Sequence, residues 1–364
     1  MVVSNPNDVS KPPPTPSQFY IPITAPIPSQ WVPNDNSSIA SHDSFISGLE
    51  AGDADDFDSR EFDVESYEVD LSSVVMRHEF ENGRRFHKFR HGRYPLPNDD
   101  EEQERDTLKH ALLLELTNGR LFYAPLMQEP QRIIDLGCGT GRWAMEVGEA
   151  YPGAEVIGVD LSPIMPEWLP PNVRFMVDDI EDEMWLHGNN FDLVHSRHVM
   201  PLVRSPETIL RNSFKSIAPG GFIECTEFDG FLLCNDGTMP DDHPPKRFLE
   251  LVADSMKHFG ADWTIGSRLM PYIQAAGFVN VEKRTIPIPV GRWAKTRHQR
   301  LAGLYMKEIL AELFIATKSR ALPKLGYTQE SLDELTAEAI DGLENYRIHA
   351  YINVSFYTGQ KPLQ

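Results

Sequence analysis

Three glycines at alternate positions follow a short apolar run in the stretch DLGCGTG, residues 135–141. Gly137 and Gly139 carry no Cβ, so they permit positive φ angles and the close approach of a ligand. Dinucleotide-binding loops are instead spaced G-x-G-x-x-G and hold a pyrophosphate at the start of a helix. Here Asp135 precedes the first glycine. A carboxylate at that point is a poor neighbour for phosphate and favours a cationic ligand.

Acids also end the next two apolar runs, EVIGVD and VRFMVDD. Asp160 can accept hydrogen bonds from both hydroxyls of a ribose. Asp179, with Asp178 as the alternative, can accept the amino group of an adenine while the backbone of Ile180 meets the ring edge. S-adenosylmethionine carries an ammonium and a sulfonium but no phosphate, so this ordered set of acids indicates that cofactor. The remaining interpretation is a glycine turn without a ligand.

Polar side chains that could act on a methyl acceptor follow the fourth and fifth apolar runs. They are His195, Arg197, His198, Glu227 and Asp229. Methyl transfer is an in-line displacement, so an enzyme mainly positions the nucleophile and needs a base only when that nucleophile arrives protonated. We interpret His198 and Glu227 as candidate bases and expect the backbone or ring of His195 to line the methionine end. Each of these residues could instead be an ordinary loop residue.

The elements that must position these residues alternate along the chain. Apolar strand patterns at RIIDLG, EVIGVD, VRFMV, FDLVHSR and GGFIECTEF are separated by helix patterns such as SPETILRNSFKSIA. This alternation predicts an α/β fold with a mainly parallel sheet covered by helices on both faces. Residues 231–270 and 296–345 favour helix, and RIHAYINVSFYTGQKP closes the chain as a strand. We expect Trp143 to pack in the core and His349 to be buried on the last strand.

The order of these segments resembles the class I S-adenosylmethionine-dependent methyltransferases, and more narrowly the fungal LaeA-like methyltransferases. The stretches that carry the resemblance are ENGRRFHKFRHGRYPLPNDDEEQERD, DLGCGTGRWA, YPGAEVIGVDLSPIMPEWLPPNVRF, FDLVHSR, PGGFIECTEFD, AGFVNV and IHAYINVSFYTGQKP. The resemblance implies a Rossmann-like, seven-stranded sheet whose last strand is antiparallel, and a role in secondary metabolism. Arg142, Phe86 and the stretch HVMPLV depart from the family pattern.

The basic stretch RRFHKFRHGRYP, residues 84–95, permits three interpretations. It could be a nuclear import signal, a solvated surface, or a segment that covers the cofactor. The resemblance implies that it crosses the top of the sheet, where Arg93 or Tyr94 could reach the carboxylate of the cofactor. We name residues 77–95 the lid segment. The candidate cofactor-binding residues are then Asp135, Gly137, Cys138, Gly139, Gly141, Asp160, Leu161, Asp179, Ile180, His195 and Tyr94.

The helical stretches 231–270 and 296–345 are expected to form a cap over the sheet, starting above Asp229. Met239, Met256, Met270 and Met306 in this region suggest a soft apolar wall. Such a wall favours an organic molecule or a peptide as the methyl acceptor. Cys138, Cys225 and Cys234 match no zinc spacing, and we predict no metal.

Composition narrows the classes of partner. The 364 residues carry a formal net charge of −20, which disfavours general nucleic-acid binding. Residues 1–75 contain 13 acidic and 2 basic side chains and many prolines. We therefore predict a disordered tail over residues 1–72 and a methyltransferase domain from residue 73. The sequence lacks a signal peptide and any long apolar run, so we expect a cytoplasmic or nuclear protein without membrane insertion.

Three functions remain open at this point. The first is an enzyme that methylates a small-molecule or peptide natural product. The second is a LaeA-type nuclear regulator of secondary-metabolite genes that acts through regulatory protein partners. The third is a nicotinamide-dependent oxidoreductase, against which the glycine spacing and Asp135 both argue. The first two share the same cofactor loop, so the sequence separates them poorly.

Overall fold

A seven-stranded sheet forms the centre of the fold. The computed structural model describes residues 77–126, 128–166, 168–183 and 185–363. The predicted disordered tail, residues 1–72, lies outside the described residues. The seven strands are β3 (Arg132–Leu136), β4 (Glu155–Asp160), β5 (Val173–Val177), β6 (Phe191–Arg197), β7 (Ile217–Phe228), β8 (Val279–Pro289) and β9 (Tyr351–Gln360). A separate hairpin precedes them, made of β1 (His78–Glu81) and β2 (Arg84–His87).

The strand order in the sheet is β5-β4-β3-β6-β7-β9-β8. Strands β3 to β7 pair in parallel, and β9 runs antiparallel to both β7 and β8. This arrangement confirms the predicted seven-stranded, mainly parallel sheet with a reversed last strand. The chain adds β4 and β5 on one side of β3 and then β6 on the other. The strand order therefore reverses beside β3, and the carboxyl ends of strands at such a point form the crevice where open parallel sheets hold ligands.

Seven α-helices accompany the strands in the described part of the chain. The predicted alternation of strand and helix holds after β3 and after β6, but β4, β5 and β6 succeed one another without a helix among the described residues, so that prediction is wrong there. The helices are α1 (Asp100–Thr117), α2 (Arg142–Ala150), α3 (Pro206–Ser216), α4 (Pro244–Met256), α5 (Met270–Ala275), α6 (Arg297–Arg320) and α7 (Gln329–Gly342). Among the residues that the structure describes, no helix is long and apolar enough to cross a membrane.

Local sequence explains where the helices begin. Asp99 caps α1, since its side chain accepts a hydrogen bond from the backbone N–H of Glu102. Ser205 caps α3 in the same way and is followed by Pro206, whose missing N–H costs nothing at a first helical position. Both helices are thereby held at defined ends, and α1 starts shortly after the lid segment.

Two apolar layers cover the sheet because strand side chains alternate between its faces. Ile133 packs with Trp143 and Val147 of α2 on one face. Ile134 packs with Ile209 of α3 on the other. A third cluster joins α1, α4, α6 and α7 to apolar residues of β8 and β9. Stretch 231–243, predicted as helix, is instead a loop that precedes α4.

Candidate active site

A large cavity lies at the carboxyl ends of β3 to β6. It encloses about 1190 Å³, part of it open to solvent. Most of the residues predicted to bind a cofactor line this cavity: Tyr94, Asp135, Gly137, Cys138, Gly139, Asp160, Leu161, Asp179 and Ile180. The structure therefore brings together side chains that are up to 86 positions apart in sequence, as the strand-end pattern predicts.

The glycine loop follows β3, and its three glycines all have positive φ angles, +68°, +56° and +75°. A Cβ on Gly137 would lie 2.4 Å from a methyl group of Val199. Gly139 points its N–H at Asp160 Oδ2, 2.8 Å away. Gly141 is not among the residues that line the cavity; a Cβ there would lie 2.2 Å from the ring of Phe175, so the absence of a side chain lets the start of α2 pack against β5.

Asp160 at the end of β4 is fixed by backbone donors. Its two oxygens accept hydrogen bonds from the N–H groups of Gly139 and Ser162, both at 2.8 Å. Burial raises the pKa of Asp160 to about 6, and the nearby acids Asp106 and Asp135 act in the same direction. The carboxylate is therefore rigidly oriented and electrostatically uncompensated, which suits a ligand that brings hydroxyl donors.

Asp179 and its alternative Asp178 both line the cavity after β5. Asp179 Oδ1 accepts the N–H of Glu181, and Oδ2 lies 3.1 Å from Nη1 of Arg93. Arg93 also contacts Glu181, at 3.2 Å. Arg93 therefore lies beside Asp179, the residue predicted to meet the adenine, which leaves Tyr94 as the other candidate for the carboxylate of the cofactor.

Asp135, near the end of β3, contacts His195 on the neighbouring strand β6. Nδ1 of His195 lies 2.7 Å from Asp135 Oδ1, and the imidazole stacks on the indole of Trp143 at 3.6 Å. His195 is buried and its ring does not line the large cavity, so its predicted contact with the methionine end remains a prediction. The Trp143 N–H donates to the carbonyl of Leu121, and the predicted packing role of Trp143 agrees with this burial.

The lid segment forms one wall of the cavity through His87, Arg93 and Tyr94. Arg320, at the end of α6, anchors the hairpin: its guanidinium contacts Glu79 and Glu81 and lies 3.6 Å from the centroid of the Phe86 ring. On the opposite side, Arg90 contacts Asp182 at 2.8 Å. The lid segment is thus attached both to α6 and to the loop after β5.

Helix α1 adds basic side chains that the sequence did not mark as functional. Lys109 pairs with Asp106, and both line the large cavity. Nδ1 of His110 accepts from Arg197, 3.0 Å away, while its Nε2 lies 2.9 Å from Glu146. Arg197, whose pKa is lowered by burial, also lines the cavity and has no carboxylate within ion-pair distance among the described residues.

A second cavity of about 600 Å³ adjoins the first. Lys109, His198 and Leu202 line both cavities. Apolar side chains from α4, α6, the sheet and the segments that connect these elements form most of the wall: Leu96, Pro201, Leu202, Phe228, Leu249, Trp263, Met306, Ile309, Leu310, Leu313 and Ile352. Of the four methionines predicted to form a soft wall, only Met306 lines this cavity.

His198 stands where the two cavities meet. Its backbone has a φ of +59°, and its ring stacks on Phe228 with 4.4 Å between centroids. Burial, followed by the nearby cation Lys109, lowers the pKa of His198 well below the ordinary value. Both ring nitrogens are buried and have no hydrogen-bond partner among the described residues. The imidazole is therefore neutral and able to accept a proton or a hydrogen bond.

Glu227 near the end of β7 is fully buried and lines the second cavity. Its Oε1 accepts the N–H groups of Val199 and Met200, at 3.2 and 3.0 Å. Burial raises the pKa of Glu227 to about 8, so the carboxyl is protonated at neutral pH. Asp229, a neighbouring candidate, lines neither cavity; it accepts a hydrogen bond from Asn353.

His349 is the last of the predicted residues, and its prediction is wrong. It precedes β9, has a side chain that is 40% exposed, and contacts Asp236 through Nδ1. It lies on no wall of either cavity.

Comparisons with known proteins agree with this geometry. Residues 108–283 match a family model described as a methyltransferase domain. Methyltransferase pytC of Aspergillus terreus is 34% identical over 309 residues, which cover 84% of this chain and 95% of that protein. The secondary metabolism regulator LAE1 of Cochliobolus heterostrophus is 32% identical, covering 78% of this chain and 95% of that protein. The protein-methionine methyltransferase laeA of Emericella nidulans is 32% identical, covering 78% of this chain and 76% of that protein.

Proposed function

This chain belongs to the LaeA-like family of fungal methyltransferases, and from that premise we propose that it transfers a methyl group from S-adenosylmethionine to a small-molecule or peptide natural product. The observation that carries the proposal is one cavity with three strand-end carboxylates, those of Asp135, Asp160 and Asp179, around a glycine loop. Three carboxylates disfavour a phosphate-bearing cofactor and favour one with an ammonium and a sulfonium.

The residues of the large cavity fit this cofactor in order. Asp160 would accept the ribose hydroxyls, because its carboxylate is already oriented by two backbone donors. Asp179 and Ile180 would meet the adenine, and Asp135 the ammonium group. Arg197 is a partly buried guanidinium that contacts His110 and no carboxylate among the described residues, and it would meet the cofactor carboxylate.

The cofactor, when bound, would supply a methyl carbon that its sulfonium makes electrophilic. The chain's own residues position the acceptor and exclude water from it. His198 lines both cavities and presents a neutral imidazole that lacks a partner in the described part of the chain, so it would take the proton of an acceptor that arrives protonated. Nucleophiles that arrive deprotonated would need positioning alone.

The second cavity is the proposed acceptor site. It adjoins the first cavity at His198 and lies between the ends of β6 and β7 and the helices α1, α4 and α6. The mainly apolar wall supports an organic acceptor.

The alternative is a regulatory methyltransferase that acts on or through protein partners in the nucleus. The names of the relatives LAE1 and laeA, a secondary metabolism regulator and a protein-methionine methyltransferase, favour this alternative. A location in the cytoplasm or nucleus is compatible with both functions.

Two measurements test the proposal. Titration calorimetry with S-adenosylhomocysteine should show binding that Asp160→Ala weakens by about 1.5–3 kcal/mol, the range for a hydrogen bond to a charged acceptor. Tight binding of NADH without a response to S-adenosylhomocysteine would refute it. Labelled S-adenosylmethionine, added with the protein to extracts of a deletion strain, should then label a small molecule; a labelled protein would support the regulatory alternative.

A further inference from the structure

The second cavity contains cations, but each of them is already neutralised. Arg105 forms a two-pronged ion pair with Glu102, with Nε 2.9 Å from one carboxylate oxygen. Lys109 pairs with Asp106. Both pairs lie on α1 and are largely shielded from solvent. An anionic acceptor would have to compete with these internal carboxylates and lose its own hydration, so the cavity favours an uncharged molecule.

Two polar groups in this cavity lack partners. Glu227 Oε2 and both ring nitrogens of His198 are buried and make no hydrogen bond among the described residues. A buried polar atom left unpaired costs about 1–3 kcal/mol, so such atoms usually have a partner in the functional complex. Since both residues line the cavity, a bound acceptor is the molecule placed to satisfy them.

The two oxygens of Glu227 differ in what they can do. Oε1 accepts two backbone N–H groups, from Val199 and Met200, and is therefore occupied as an acceptor. The proton that Glu227 retains at neutral pH consequently resides on Oε2. A protonated carboxyl oxygen donates a hydrogen bond, and its natural partner is a carbonyl or ether oxygen.

We propose that the acceptor is an uncharged, mainly apolar molecule that carries a carbonyl oxygen as well as its nucleophile, with Glu227 donating a hydrogen bond to the carbonyl and His198 facing the nucleophile. Glu227 is then a residue that determines acceptor specificity and does not act as a base. This inference rests on the proposed function only in taking the bound molecule to be the methyl acceptor. The recognition of a neutral carbonyl depends on the second cavity alone.

The protonation of Glu227 depends on the groups around it. Burial dominates its raised pKa, and the cation Lys109 on α1 opposes it. Tyr357 on β9 and Cys225 on β7 are uncharged at neutral pH, since burial raises the pKa of both. His198 is neutral as well, because burial lowers its pKa. The donor on Glu227 should therefore persist at pH 7 and be lost at pH 9.

Three size-matched probes test the inference on the full chain loaded with S-adenosylhomocysteine. Acetophenone carries the carbonyl, ethylbenzene lacks it, and benzoate replaces it with an anion. Saturation-transfer NMR at pH 7 should show acetophenone binding about fivefold more tightly than ethylbenzene, the effect of one hydrogen bond. Benzoate should bind most weakly. Acetophenone that fails to bind, or binds no better than ethylbenzene, would overturn the inference.

Two variants locate the effect at Glu227. Glu227→Gln should keep the preference for acetophenone, because the amide oxygen accepts the two backbone N–H groups while the amide nitrogen donates to the ligand. Glu227→Leu should abolish the preference. At pH 9 the wild type should lose the preference for acetophenone and Glu227→Gln should keep it. This comparison remains informative even if Glu227→Leu does not fold.

The chain offers a matched control in Glu224→Gln. Glu224 lies on the same strand, is equally buried and accepts two backbone N–H groups, from Tyr123 and Ala124, but it does not line the second cavity. This variant should leave probe binding and its pH dependence unchanged; a lost preference there would refute the role of Glu227. Wild-type protein that binds no S-adenosylhomocysteine would refute the proposed function, whereas cofactor binding without a carbonyl preference would refute this inference alone.

Discussion

The Nδ1 atom of His195 lies 2.7 Å from Oδ1 of Asp135, in the neighbouring strand and in direct register with it. Asp135 is buried at the base of the glycine loop, where its orientation decides which ligand charge it meets. His195 is in turn held flat against Trp143. The orientation of the Asp135 carboxylate, which faces the cavity, is thus fixed by His195, whose ring does not line the cavity.

The first prediction concerns this hydrogen bond. His195→Phe should keep the aromatic stack on Trp143 but remove the donor to Asp135. We expect affinity for S-adenosylhomocysteine to fall about tenfold, because a hydrogen bond to a charged group contributes about 1.5–3 kcal/mol. Calorimetric titration measures it. Trp143→Phe is the control, since it alters the stack and leaves the donor; an equal loss there would mean that packing, not the hydrogen bond, matters.

The second prediction concerns the anchor of the lid segment. Arg320→Gln should release the hairpin from α6, because one buried guanidinium contacts Glu79, Glu81 and the ring of Phe86. Hydrogen exchange should become faster in residues 78–95, and affinity for S-adenosylhomocysteine should fall about tenfold as the cavity wall loosens. Lys318 also lies on α6 and forms a more exposed pair with Asp333 of α7, so Lys318→Gln should change little. Unchanged exchange in Arg320→Gln would exclude the anchoring role.

The third prediction is a pH dependence of stability. The folded-state pKa of Glu227 is about 8, above the value of an unfolded chain, so folding retains a proton that unfolding releases. Stability is then lost as the pH rises toward 8. The slope from one such group reaches about 1.4 kcal/mol per pH unit. Between pH 7 and 8, urea denaturation should show a decrease that is smaller in Glu227→Gln.

Glu224 is another buried acid, and it provides a control for the effect of Glu227 on stability. The pKa of Glu224 is about 7, so most of the change in stability that this residue causes occurs below pH 7. Buried histidines with lowered pKa values, such as His198, act mainly below about pH 6.5, where the unfolded chain takes up protons. Glu224→Gln should therefore keep most of the decrease between pH 7 and 8. A decrease that is the same in wild type and Glu227→Gln would contradict the assignment.

The fourth prediction comes from composition. A chain that starts at Ser73 should retain the melting temperature and cofactor affinity of the full chain, because residues 1–72 carry dense like charge and few apolar side chains. Removing residues 84–95 instead should lower cofactor affinity, since this stretch includes cavity-lining residues such as His87 and Tyr94. Loss of folding in the first truncation would show that the domain begins earlier.

The sequence predicted those parts of the candidate site whose positions follow from the ends of the strands. Asp135, Asp160 and Asp179 follow apolar runs, and the carboxyl ends of parallel strands meet at one edge. The sequence did not predict contacts between elements that are distant along the chain. Lys109 and Arg105 look like an ordinary solvated helix face, and only the packing of α1 against α6 turns them toward the second cavity. The sequence predicted that His195 lines the cavity because its strand ends there. Strand side chains alternate between the two faces of the sheet, however, and the face that His195 occupies depends on the register of the strand.

The last prediction concerns Gly141, which the sequence marked as a cofactor contact. It has a φ of +75°, and a Cβ would lie 2.2 Å from the ring of Phe175 on β5. Gly141→Ala should therefore lower the free energy of unfolding by about 2–4 kcal/mol, from the left-handed backbone and the overpacking together. Gly153→Ala is the control, because that glycine has an ordinary φ and an added Cβ would meet no atom within 4 Å. Urea denaturation of both variants measures the effect. If Gly141→Ala keeps its stability but loses S-adenosylhomocysteine binding, the glycine contacts the cofactor after all.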